Sequence, residues 1–356
     1  MKVLIIHPSF SEYGGAEIIL VRLCNYMTKH NIYNEILTTG IDARVRKDLV
    51  DTKINIPISM FQGKPVNVAF QEWIRDNEER FDILNAHNHP TEMFLHNSTK
   101  PSVWYCNEPP EHILRGNNPS NEELNLVNNS ISEVVVADDF NQNRFNRIYG
   151  RLPKIIPYGI DCNFYSKGIE NAKETLDLDN HFVIIHPGWF NRFKNQLETV
   201  SILTNIKHLN PKVIFTGYFG GPYQQQVEEA IDRNNLRNYV MIPKFYSRDL
   251  MRQYYNAGDV ILFPCGPQGG FLSVFEAIVA GRNVIISPNM GISNIVKKNN
   301  LAIVTDNYLK SILDVYEGKY TPNKEKAIEW VKKNITWKLY CSRMVKLFES
   351  QINKLL

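Results

Sequence analysis

The chain of 356 residues has no uninterrupted apolar run of the roughly 18 residues a membrane span needs, so no transmembrane helix is expected. Any meeting with a membrane would be from the surface. Cysteine is sparse: five residues, an odd number, scattered and without a Cys-x-x-Cys pair. That argues against a disulfide framework, spells out no metal site, and points to reduced thiols in a cytosolic setting. Neither sign of charge is in large excess. Forty Lys and Arg against 37 Asp and Glu leave a net charge of +3, too little to argue for nucleic acid but compatible with occasional contact with anionic lipid. There is no low-complexity tract and no internal repeat beyond an alternation of strands and helices. The opening MKVLIIHPSF is too short for the core of a signal peptide and reads as a first strand.

What is present is ample apolar content, 43% of the residues, in a chain long enough for two domains. Strand one leads through Ser11–Gly15 into AEIILVRLCNYMTKHN, where Ile18, Ile19, Val21, Leu23, Cys24 and Met27 make a broad helix face. The turn is not G-x-G-x-x-G, so no dinucleotide site is expected from it. Further strands are read in NEILTTG, FDILNAH, PSVWYCN and Val134–Val136, with a helix around 69–80. His87, Asn88 and His89 are expected just past a strand end, as is the cluster Cys106–His112, whose Pro109–Pro110 pair fixes the loop. Asp138 reads as a helix N-cap and Ile155–Ile156 as the last strand of the first half. Beyond Phe164 the chain turns polar through Asp179, and the domain boundary is expected there. This divides the chain into residues 1–165, 180–335 and a closing helix 336–356. Asp177-Leu178-Asp179 has the spelling of a metal-binding D-x-D but lies before a strand, so it is read as solvated linker.

The densest chemistry lies at 259–287, DVILFPCGPQGGFLSVFEAIVAGRNVIIS. Val260–Pro264 suits a buried parallel strand, Gly266–Gly270 a turn, Leu272–Ala280 a helix ended by Gly281, and Val284–Ser287 the next strand. In such a βαβ unit the glycine turn lies where ligands bind, with the amides of a helix start facing them. Two readings are open on pattern alone: a phosphate-binding turn with Gln268 and Glu276 holding two ends of a ligand, or a loop that only turns the chain, with Glu276 capping or solvated.

This stretch resembles the donor-binding signature of retaining glycosyltransferases of family 4, E-G-F-G-L-x-x-x-E-A-x-A-x-G-x-P-V-I. The chain reads QGGFLSVFEAIVAGRNVI, with Glu276 at the second family glutamate, Gln268 at the first, and Gly270-Phe271 where the family has Phe-Gly. PGWFNRFKN resembles the family's G-R-L-x-x-x-K-G; Lys194 is kept, Trp189 stands at the arginine position, and Arg192 lies nearby. GGAE resembles the glycine loop that faces the donor phosphates, CNEPPEH the family's C-H-E-P-P with Asn107 at the histidine, and IPYGIDCNFY its I-P-N-G-V-D-x-x-x-F. The closing ITW followed by an amphipathic run resembles the last family helix.

The resemblance covers nearly the whole chain and implies the α/β GT-B fold: two Rossmann-like domains facing across a cleft, the last helix crossing back to the first. It implies transfer of a hexose from a UDP- or GDP-linked sugar to a hydroxyl of a glycan or glycolipid, with retention of configuration and no metal. Hydrolytic retainers place two carboxylates about 5 Å apart, and no such pair is evident here. By the same resemblance Gly14, Gly15, Trp189, Arg192, Lys194, Phe245, Gly269, Gly270, Phe271, Leu272 and Glu276 would bind the donor. Lys194, Gln268 and Glu276 would serve catalysis. His87, His89, Asn107 and Glu108 would lie on the acceptor side. A cytoplasmic protein, peripheral at a membrane if it meets one, is expected. The alternatives carried are a sugar-nucleotide-binding protein that has lost transfer, suggested by Gln268 and Trp189, and a nucleotide-sugar epimerase of the same fold.

Overall fold

Short runs of aliphatic and β-branched residues, apolar on both faces, are what a parallel sheet covered on both sides requires, and thirteen such strands order this chain. In the computed structural model all residues are described except 12–13, 111–112, 114–115, 218–219, 245–246, 320–322 and 355–356. The chain divides into two units, Met1–Gly159 with Trp337–Leu356, and Ile160–Thr336.

The first unit holds β1 (Lys2–Ile6), β2 (Tyr33–Leu37), β3 (Lys53–Asn55), β4 (Ile83–His87), β5 (Ser102–Tyr105), β6 (Glu133–Val136) and β7 (Lys154–Ile155). They form one sheet in the order β3-β2-β1-β4-β5-β6-β7, with parallel pairing throughout. The order reverses between β1 and β4. Loops leaving these two strands part to opposite sides, which opens the crevice in which α/β sheets bind ligands. Asp138 caps the helix Asp139–Tyr149 as expected, accepting from Asn141 N at 2.8 Å. The last helix, Trp337–Ile352, belongs to this unit: Cys341 Sγ reaches Arg22 O of the helix Gly15–Lys29 at 3.6 Å. Tyr340 packs in an aromatic cluster with Tyr105 and Tyr158, at centroid distances of 6.0 and 6.2 Å.

The second unit holds β8 (Phe182–Trp189), β9 (Pro211–Gly217), β10 (Val240–Met241), β11 (Val260–Phe263), β12 (Asn283–Ile286) and β13 (Ile303–Val304), ordered β10-β9-β8-β11-β12-β13. Its reversal falls between β8 and β11. Strand period shows directly in the packing: Val183, Ile185, Ile261, Phe263, Val284 and Ile286 enter one core, while Phe182, Ile184, Val260, Leu262 and Ile285 enter the core on the opposite face.

The division falls at Gly159, six residues before the expected end of the first domain at 165 (165 − 159 = 6). The reason is burial: Ile160, Cys162 and Tyr165 sit in the second core, and Ile160 N donates to Ile335 O at 3.2 Å where the chain enters and leaves the unit side by side. The segment after it is also built in. Ala172 and Leu178 are buried in the same core, and Lys173 Nζ pairs with Asp259 at 2.7 Å. Within Asp177-Leu178-Asp179 the two carboxylates are exposed and the leucine between them is core. The five cysteines are free and buried. Among the described residues no helix is long and apolar enough to cross a membrane.

Candidate functional site

The second unit's reversal point is shaped by a bulge at the end of β8. Strands β8 and β9 pair to His186↔Phe215, shift, and pair again at Trp189↔Gly217. Glycine is required on both sides. Gly188 has φ +120, and a Cβ on Gly217 would lie 2.2 Å from Gly188 O. The bulge turns the chain into the loop 190–195, which is fastened to the turn after β11: Gly266 N donates to Phe193 O at 2.7 Å and Asn195 Nδ2 to Pro264 O at 3.2 Å. Lys194 N is held by Asn191 Oδ1 at 2.9 Å. Its alkyl chain lies against Gly188, where a Cβ would approach Cδ and Cε to 3.2 Å.

The ammonium of Lys194 stands 4.0 Å from the ring centroid of Phe271, a cation–π arrangement that fixes a positive charge at a helix start. Phe271 is buried and is the N-cap of the helix Leu272–Val279, which no side chain caps among the described residues. Gly270, at φ +71, makes the turn before it. Gln268 is tied down through its carbonyl, which accepts from Gly291 N at 2.8 Å. Its side-chain Oε1 is buried and finds no hydrogen-bond partner among the described residues, which marks an acceptor waiting for a donor. Trp189 is half exposed and Arg192 exposed.

One helical turn in, Glu276 takes a hydrogen bond from Tyr255 Oη at 3.3 Å and another from Tyr165, with Arg248 and Asp161 close by. Arg248 pairs with Asp161 at 3.2 Å and lies over Phe164 at 4.6 Å. Burial pushes the Glu276 carboxyl up to about 7, against the lowering effect of its tyrosines and Arg248. Glu276 is thus neither a helix cap nor a solvated surface group, the bland alternative for it. The sequence reading passed over Tyr165, Arg248 and Tyr255. The last two share a helix face at a spacing of seven, the one signal that would have found them.

In the first unit the expected cluster separates. His87 is the last residue of β4 rather than a loop residue, buried, stacked on Tyr105 with centroids 5.2 Å apart, and bonded to Asn85 Oδ1 at 2.8 Å. Burial, with His7 nearby, drives it far below the ordinary histidine value, so it is neutral. As a buried strand residue it presents no exposed group at the strand end. His89 is a third exposed and its Nδ1 meets Glu92 at 2.5 Å. Asn107 bonds the side chains of Asn88 and Tyr158, and Glu108 pairs with Arg144 at 2.5 Å. Gly14 and Gly15 open the helix after β1, where Glu17 Oε2 accepts from Gly14 N at 3.0 Å and Oε1 meets His7 Nε2 at 3.3 Å. Phe245, expected at the nucleotide base, lies outside the described residues, as do His112 and Tyr246. Among the described residues no group of three or more His, Cys, Asp or Glu is arranged to hold a metal ion.

Residues 169–329, within the second unit, match the family model described as glycosyl transferases group 1. The 2-deoxystreptamine N-acetyl-D-glucosaminyltransferase of Niallia circulans is 22% identical over 82% of this chain and 85% of its own length. The structure of Anabaena HepE in complex with UDP and glucose is similar with a TM-score of 0.81 at 19% identity, covering 98% of this chain and 100% of that one. A glycosyltransferase from Rickettsia africae ESF-5 gives 0.80 at 16% identity, covering 99% and 98%. The fold is therefore that of the GT-B glycosyltransferases, two parallel-sheet α/β units with the last helix returned to the first.

Proposed function

We propose that the chain is a glycosyltransferase that moves a hexose from a UDP- or GDP-linked sugar to a hydroxyl of a glycan or glycolipid, with retention of configuration. The observation that carries this reading is the meeting, at one reversal point, of an uncapped helix start, a lysine held over Phe271, and the unpartnered Gln268 acceptor. A diphosphate fits that constellation: amides of the helix start face its oxygens and Lys194 meets its charge. In this reading Arg192 adds to that charge and no resident metal takes part. Gly269, Gly270 and Leu272 let the backbone approach, Gln268 orients a sugar hydroxyl, and Glu276 accepts from the ribose. Trp189 and Phe245 would frame the nucleotide. The UDP bound by HepE, and the N-acetylglucosaminyl transfer in the name of the Niallia relative, support the donor class.

Stabilising the leaving diphosphate is the protein's main chemical task here, with positioning of the two reactants. His89, Asn107 and Glu108 offer the acceptor-side groups, and surface contact with a membrane would bring a glycolipid acceptor to them. The test is a panel of UDP- and GDP-sugars assayed for nucleotide release with and without alkyl glycosides. Acceptor-dependent release with the α-linkage of an α-donor kept in the product is the expected result. Interconversion of free sugar nucleotides without an acceptor would make the chain an epimerase, and binding without turnover a binding protein.

A further inference from the structure

The first unit carries a buried acid–base pair that the donor chemistry does not use. Glu92 is fully buried on the short helical turn Thr91–Leu95, which follows β4 directly. One of its oxygens meets His89 Nδ1 at 2.5 Å, and the other, Oε2, is buried without a partner among the described residues. The loop between them is locked. Thr91 Oγ1 donates to His87 O at 2.8 Å and to Asn88 O at 2.6 Å, and Gln71 Nε2 holds Met93 O at 2.9 Å.

A carboxyl wholly inside, joined to an imidazole that is a third exposed, is the arrangement by which proteins fix a histidine's tautomer and orientation. With Nδ1 engaged by Glu92, the ring's remaining polar atom is Nε2. The pair also sits at the carboxyl end of β4, one of the two strands flanking the reversal of the first sheet, where a ligand group is expected. The titratable and charged groups around it are Glu123, which accepts from Tyr149 Oη at 2.6 Å, the buried Cys106, and beyond that Glu108 with Arg144.

We propose that His89 and Glu92 form a hydroxyl-binding dyad for the acceptor. Glu92 is the positioning residue, holding the imidazole so that neutral Nε2 accepts a hydrogen bond from the hydroxyl to be glycosylated. This rests on the transferase reading above. Only the neutral ring can accept, so acceptor use switches on as pH rises through the His89 titration. That titration lies above the ordinary 6.5: desolvation lowers it, but the Glu92 hydrogen bond and charge more than offset this.

The experiment uses the full chain with UDP-glucose, UDP-N-acetylglucosamine and GDP-mannose as donors and alkyl glycosides as acceptors, measuring KM, kcat and their pH profiles. In Glu92→Gln, nearly the same shape, the acid limb should move to lower pH and the acceptor KM rise about tenfold, the loss of roughly one charge-assisted hydrogen bond, with donor KM unchanged. His89→Ala should lose about 100-fold in acceptor kcat/KM while nucleotide release to water persists. Melting curves separate these effects from misfolding. Wild-type pH profiles and acceptor KM in both folded variants would overturn the dyad and leave the transferase reading standing. Failure of the wild-type chain to turn over any donor would overturn that reading, and the dyad's ligand with it.

Discussion

Two helix starts stand at corresponding places in the two units, each after the strand that opens its sheet's reversal, or beside it, and they are finished differently. After β1 the helix Gly15–Lys29 supplies its own anion: Glu17 takes the Gly14 amide and contacts His7. After β11 the helix Leu272–Val279 has no side-chain cap among the described residues, and a lysine ammonium waits 4.0 Å from the Phe271 ring at its start. A helix start that is internally neutralised is structural chemistry. One left open, with a cation added, is anion chemistry. The similar glycine pairs Gly14-Gly15 and Gly269-Gly270 conceal this difference in the sequence.

The largest effect should come from removing the cation. Lys194→Ala is expected to cost about 100- to 1,000-fold in turnover, as loss of one charge-stabilising group does elsewhere. Melting temperature should change little beyond the packing lost against Gly188. A large fall in melting temperature with the rate per folded molecule preserved would make Lys194 a structural residue and erase the contrast.

Next come the glycines. Gly217→Ala places a Cβ 2.2 Å from a backbone oxygen, so the β8 bulge must move; a loss of about 3 kcal/mol is expected in urea unfolding. Gly15→Ala meets nothing within 4 Å and should stay within about 0.5 kcal/mol of the parent. Equal effects would mean that the bulge is not the rigid base of the second site.

Glu276 provides a pH test. Its folded value of about 7 lies above the ordinary 4.5, so the folded state holds the proton more tightly than the unfolded chain. Its contribution to stability is complete below 4.5 and is lost as pH rises through about 7. Nucleotide affinity should run the opposite way, rising through the same window as the carboxylate becomes a pure acceptor. Glu276→Gln should flatten both curves, as read by thermal melts and nucleotide titration. A mutant that keeps both slopes would remove Glu276 from the account.

The smallest expected change is at the first helix start. Glu17→Ala should cost about 1 kcal/mol, the worth of a cap, with little effect on nucleotide affinity. A marked change in that affinity would show that the first glycine turn also holds the nucleotide.

The strands, the alternation and the glycine turns were legible because parallel strands buried on both faces leave continuous apolar runs such as VLII and VILF. Lys194 and Glu276 were legible through their motifs. The polar surroundings of Glu276 were not: Tyr165, Arg248 and Tyr255 come from two further segments, and nothing in a single sequence says that they converge. His87 was placed in a loop because its neighbours Asn88, His89 and Pro90 are turn formers, whereas β4 continues through it and stacks it on Tyr105. The early end of the first unit at Gly159 turned on Ile160 and Cys162, apolar residues inside a stretch whose composition looked continuous with what precedes it.

The most direct measurement is backbone hydrogen exchange on the whole chain, with and without saturating UDP and GDP in turn. If the open helix start of the second unit holds the nucleotide diphosphate, one of them will slow exchange across 188–195 and 266–276 far more than across 14–18. Protection concentrated at 14–18, or no protection at 266–276 by a nucleotide that binds, would contradict it.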